Sequence, residues 1–171
     1  QMEFGVGFFF KDPYNGCQNN TIKNCEFKLT RTNSIYSFKL FPSGCTGIVF
    51  VNSIANYANT PIKGLGNKSS NSFNTIDNNL ISNCINGIAI LGTEYNSASN
   101  FSYDNNNSIV NNKINSFGNG VMYESHCNGI LLQHQKKYII ENNTIETLIN
   151  ADTVGTFNFL YGINSTSLST N

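Results

Sequence analysis

The chain is 171 residues long, enough for one domain with its own core. Ten Lys+Arg against ten Asp+Glu leave no net charge, which excludes the basic surface that phosphate recognition needs and argues against a nucleic-acid partner. Hydrophobic residues make up 39% and charged residues only 12%, too apolar for disorder, and no stretch reaches the roughly 18 apolar residues that membrane insertion would require.

In chain order, one short phrase keeps returning among the 31 Asn of the sequence. It stands at Asn19-Asn20-Thr21-Ile22, Asn52-Ser53-Ile54, Asn78-Asn79-Leu80-Ile81, Asn111-Asn112-Lys113-Ile114 and Asn142-Asn143-Thr144-Ile145. Aligned on Asn20, Asn52, Asn79, Asn112 and Asn143, the copies lie 32, 27, 33 and 31 residues apart, with Ile two places on in each. Three residues before the aligned Asn stand Cys17, Val49, Ile76, Ile109 and Ile140; five after it stand Cys25, Tyr57, Cys84, Phe117 and Leu148. Short runs of β-branched and aromatic residues broken by Asn-Asn or Asn-Gly predict strands of three to five residues. Recurrence at one register about 30 residues apart predicts parallel stacking of similar coils, each about 4.8 Å above the last. Ile22, Ile54, Ile81, Ile114 and Ile145 would then form one interior column. The five aligned Asn would form a ladder at one turn, their amides bonded coil to coil, because Asn tolerates a left-handed backbone and its amide both donates and accepts. Residues 67–74, 93–107 and 125–135 are predicted to loop out.

The run from Ile76 to Ile90, and with it 111–122 and 139–148, resembles the repeat of right-handed parallel β-helix proteins, the pectate-lyase-like superfamily and its relatives with short Asn-rich coils. That resemblance implies an all-β fold, a right-handed parallel β-helix (solenoid) of about five coils with loop excursions. It implies a single domain over 1–171, with incomplete coils at 1–16 and 164–171, read as a segment of a larger secreted bacterial surface protein.

In the lyases of that superfamily, clustered acidic calcium ligands stand beside a catalytic Arg or Lys; the hydrolases use closely spaced Asp. Here there are four Asp (Asp12, Asp77, Asp104, Asp152) and a single Arg, Arg31, so no catalytic set is predicted. Asp77 and Glu141 are the nearest candidates, sharing a column position two coils apart, about 10 Å, near the upper carboxylate separation of inverting glycosidases; solvated surface charge is the reading with more weight. Glu124-Ser125-His126-Cys127 with His134 could pair a thiol with a base, but adjacent residues on an extended chain point opposite ways, so a polar loop is expected. Asp104, in Asp104-Asn105-Asn106-Asn107, is the candidate calcium ligand, yet one carboxylate is too few for a tight site. No metal or other cofactor is therefore expected.

The five cysteines show no CxxC pair. Cys25 and Cys84 are expected as buried small hydrophobes one coil short of neighbours, beyond disulfide reach. Six Asn-x-Ser/Thr sequons match the number that composition alone generates, so they carry no argument for glycosylation. Tyr95, Tyr103 and Tyr161 are the candidate sugar-stacking residues. The expected function is a non-catalytic shaft or adhesin segment, secreted or at the cell surface, touching glycans or other surface proteins, with any secretion machinery engaging regions outside this chain. The alternative is a stretch of a polysaccharide lyase or glycoside hydrolase of the same superfamily.

Overall fold

The computed structural model describes residues 3–10, 15–29, 45–52, 70–92, 103–117, 126–147 and 159–166. All regular elements among these residues are strands: β1 (Glu3–Phe10), β2 (Thr21–Lys23), β3 (Glu26–Lys28), β4 (Cys45–Asn52), β5 (Thr75–Asp77), β6 (Leu80–Ser82), β7 (Asn86–Leu91), β8 (Asp104–Asn105), β9 (Ser108–Val110), β10 (Lys113–Phe117), β11 (His126–Gln133), β12 (Gln135–Lys136), β13 (Ile139–Glu141), β14 (Thr144–Thr147) and β15 (Phe159–Thr166). Every pairing between them is parallel.

Three main sheets result. Long strands lie in the order β1-β4-β7-β11-β15; short strands form β2-β5-β9-β13 and β3-β6-β10-β14; β8 and β12 add a small pair. The chain lays down two short strands separated by a two-residue turn, then a long strand, and repeats. Consecutive strands such as β5 and β6 never pair with each other; each pairs with its counterpart one pass away.

Alternation explains the short strands. In each strand of the two four-stranded sheets the second residue faces inward, giving the columns Ile22-Ile76-Ile109-Ile140 and Phe27-Ile81-Ile114-Ile145. The long sheet contributes Val6-Ile48-Ile88-Ile130 and Phe8-Phe50-Ile90-Leu132, where the Phe8 and Phe50 rings stack with centroids 4.4 Å apart. Burying each such side chain stabilises by about 1.5–3 kcal/mol. Unlike the short sheets, the long sheet is buried on both faces in its central strands β4, β7 and β11, with Val49, Val51, Ala89, Leu91 and Leu131 forming a second apolar cluster. That is why its strands read as unbroken apolar runs, as in Gly47-Ile48-Val49-Phe50-Val51.

The two columns facing each other across the core fit only because the long sheet carries glycine. Gly5, Gly47, Gly87 and Gly129 lie beneath Phe27, Ile81, Ile114 and Ile145 respectively. A Cβ at Gly87 would stand 2.5 Å from the Gly129 carbonyl oxygen and 2.7 Å from Ile114 Cγ2.

The structure corrects the alignment of the repeat. Ile22 pairs with Ile76, not with the Ile81 column, whose first member is Phe27. Asn52 closes β4 in the long sheet beside Phe10, so no extra pass lies between β2 and β5, and the first interval is 54 residues. Ile54, Tyr57 and Leu148 lie outside the described residues. Val49 lies beside Ala89 instead of Ile76. Cys25 is exposed and occupies the turn position next to Asn79, while Cys84 is buried one strand further along the pass. Two expected excursions are partly regular: residues 126–136 form β11 and β12, with Cys127 in the core, so the polar loop predicted there is absent, and 103–107 contains β8. Residues 70–74 are largely buried against neighbouring passes.

Candidate functional site

The Asn-Asn phrase divides its work between two residues. At the turn joining the two short strands, Asn24, Asn78, Asn111 and Asn142 adopt left-handed backbone with φ of 58°, 53°, 57° and 55°. Asn is the residue that tolerates this region best after glycine. The residue that follows turns its side chain inward. Cys25 N–H donates to Asn79 Oδ1 (3.0 Å); Asn79 N–H and Nδ2 donate to Asn112 Oδ1 (3.0 and 2.9 Å); Asn112 N–H and Nδ2 donate to Asn143 Oδ1 (2.9 and 3.0 Å). Asn79, Asn112 and Asn143 thus form the expected ladder, with Cys25 at its end in place of a fourth Asn.

Asn20 belongs to a second ladder at the turn before β2, β5 and β9. Its N–H and Nδ2 donate to Asn74 Oδ1, Asn74 does the same to Asn107 Oδ1, and Asn107 Nδ2 donates to Gln135 Oε1. Asn128 N–H and Nδ2 donate to Asn86 Oδ1 in the long sheet, where the next position is Thr46, whose buried hydroxyl has no partner among the described residues.

The fourth polar column holds the one buried acid among the described residues. Cys17 N–H donates to Asn71 Oδ1; Asn71 N–H donates to Asp104 Oδ1 at 2.6 Å, and Gln135 Nε2 to Asp104 Oδ2 at 3.0 Å. A Cβ at Gly92 would reach within 3.1 Å of the carboxyl carbon. Burial pushes the Asp104 carboxyl up to about 7 against the opposing pull of the Gln135 and Asn71 N–H donors. Burial first, and the Asp104 charge second, push the Cys17 thiol up to about 11. As a calcium candidate Asp104 is poorly placed: its oxygens are taken by N–H groups, and no group of three His, Cys, Asp or Glu side chains gathers among the described residues.

The register confirms that Asp77 and Glu141 share a column, separated by Val110. Two strand spacings keep their carboxyls about 10 Å apart. Asp77 pairs with Lys23 Nζ at 2.7 Å and accepts from Asn111 Nδ2 at 2.9 Å, and these bonds hold its carboxyl below the usual range. Glu141 is exposed. Tyr103 is half-buried with Lys136 Nζ 4.0 Å above its ring, and Tyr161 is half-buried in β15; Tyr95 lies outside the described residues. Among the described residues, Asp77 and Glu141 lie in the same short sheet, Tyr103 directly precedes Asp104 at the start of β8, and Tyr161 lies apart from both in β15 of the long sheet.

Sequence reasoning missed the Asn71-Asp104-Gln135 column and the glycine column. The second had a signal, since Gly precedes an aliphatic residue at Gly5-Val6, Gly47-Ile48, Gly87-Ile88, Gly129-Ile130 and Gly162-Ile163. The first had none, because Asn, Asp and Gln at 71, 104 and 135 share no phrase. In comparisons with protein-family models, curated proteins and solved structures, nothing matches this chain.

Proposed function

We propose that this chain is a stretch of right-handed parallel β-helix that serves as a non-catalytic shaft or adhesin segment of a secreted or cell-surface protein. The right hand follows from the strong preference of parallel crossover connections. The observation that carries the functional part is how the polar residues are used. Inward Asn and Gln side chains such as Asn74, Asn79, Asn112 and Gln135 are committed to internal ladders, Asp104 is enclosed by amides, Asp77 is tied to Lys23, and two outward columns of the short sheets run Thr21-Thr75-Ser108-Ile139 and Lys28-Ser82-Asn115-Glu146. Such register-aligned hydroxyl, amide and charged groups suit shallow contacts with glycans or partner surfaces better than enclosure of a reacting bond. Tyr103 and Tyr161 supply rings for sugar stacking on this reading.

The test is incubation with acidic and neutral polysaccharides, with and without calcium, alongside a glycan-binding assay. Expected are binding without turnover and weaker binding in Tyr103→Ala or Tyr161→Ala. Turnover that disappears in Asp77→Ala or Glu141→Ala while folding is intact would replace this reading by the hydrolase or lyase one.

A further inference from the structure

Three separate features at one end of the stack share a single explanation. Within the ladder, Asn79 and Asn112 each give both N–H and Nδ2 to the Oδ1 of the next Asn. Asn143 repeats only the bonds to main chain, from Nδ2 to the Ile109 and Glu141 carbonyls, and among the described residues no oxygen meets its N–H. Gly162 continues the glycine column, yet among the described residues a Cβ there would meet nothing within 4 Å, whereas each earlier glycine lies under Phe27, Ile81, Ile114 or Ile145 of the pass that follows it. Ile163 sits in the interior column of Ile48, Ile88 and Ile130, all fully buried, but is 52% exposed.

We propose that the end formed by β13, β14 and β15 is a docking surface for one further strand–turn–strand polypeptide segment of the Asn-Asn-x-Ile type. This pass would place an Asn Oδ1 against the Asn143 N–H and Nδ2, an aliphatic side chain two residues later over Gly162, and a β-branched residue on Ile140. Gly162 needs no glycine in its present surroundings. It needs one if a side chain is to rest on it as Ile145 rests on Gly129. A second copy of these residues stacked head to tail is a poorer occupant. It would set β1 beside β15, and its β2 and β3 one rung beyond, leaving the rung above β13 and β14 empty. The occupant must therefore lay down two short strands before its next long one, as this chain does after β4, β7 and β11.

The inference rests on the continuous-stack reading proposed above, and the experiment separates the two. Residues 134–147 are joined directly after Thr166, which lies beside Gln133 and so continues the register. Amide hydrogen exchange is followed in the original and the extended chain. Expected is at least about tenfold slower exchange at Asn143 and across β15 in the extended chain, absent when the added copy carries N143D and I145D. Gly162→Val should leave the original chain's denaturation midpoint unchanged and abolish the gain from extension. Equal exchange in all three chains, or a gain that survives Gly162→Val, overturns the docking surface. Fast exchange throughout β5, β6, β9 and β10 of the original chain would instead overturn the stack itself.

Discussion

At the scale of single residues, the turns show which side chains the backbone tolerates. Phe73 occupies the left-handed position that Asn19 and Asn106 fill in neighbouring passes, with φ of 59° and half of its surface exposed. A bulky residue there carries a backbone cost of about 1–2 kcal/mol that Asn largely avoids. Phe73→Asn is expected to stabilise the protein by about 1 kcal/mol, read as a higher midpoint in a urea titration. Asp104 makes a different residue-scale prediction. Its carboxyl titrates near 7 when folded and near 3.8 when unfolded, so between these values the folded state binds more protons. Stability is therefore greatest below about pH 4 from this group, falls as pH rises to 7, and is level above that, with a slope of up to about 1.4 kcal/mol per pH unit. Asp77 acts in the opposite sense but only on the acid side of the ordinary carboxylate range. Denaturation followed from pH 4.5 to 8 should show the decline in the parent protein and a smaller one in Asp104→Asn; identical pH profiles would show that the carboxyl ionises freely.

At the scale of elements, the ladder is the device that lets three-residue strands persist. A strand so short gains little from its own pairing, and each turn beside it exposes main-chain groups that must be satisfied inside the protein. Asn79 meets that need three ways, accepting from Cys25 N–H and donating to Asn112 Oδ1 and the Ile22 carbonyl. Asn79→Leu removes all three and leaves buried partners unpaired, at an expected cost of about 1–3 kcal/mol. Urea titration checks this, and a variant as stable as the parent would show that the ladder decorates the turn without supporting it. The Asn-Asn pairing was legible in the sequence because both demands, a left-handed residue and an inward amide, fall on the same residue type. The departures from it, Cys25 at the ladder's end and Phe73 and Lys137 in left-handed turns, were not, since none of these three residue types signals either role.

At the scale of the whole molecule, close approach of two sheets depends on the glycine column. Gly87→Ala would push a methyl group into the Gly129 carbonyl and Ile114 at once, both parts of the packed core. Its expected cost is about 1–3 kcal/mol, measured by thermal or urea unfolding; an unchanged midpoint would mean that the sheets can separate without loss. The sequence by itself determined the class of architecture: alternation within short strands, inward Ile, Asn at turns and parallel repetition are all local patterns, readable wherever burial imposes a period. It could not determine which copy lies beside which. The phrase Asn-x-Ile occurs twice in one pass, five residues apart, at Asn74-Thr75-Ile76 and Asn79-Leu80-Ile81 and again at Asn107-Ser108-Ile109 and Asn112-Lys113-Ile114. Asn20 thus matches Asn79 as well as Asn74 on local grounds. Only the tertiary structure chose Asn74, because pairing β2 with β5 also brings β3 onto β6, Phe27 onto the Ile81 column and Gly5 beneath it. Side-chain facing is set by the backbone period of a few residues, whereas register is set by contacts between residues 54 apart that must all be made together.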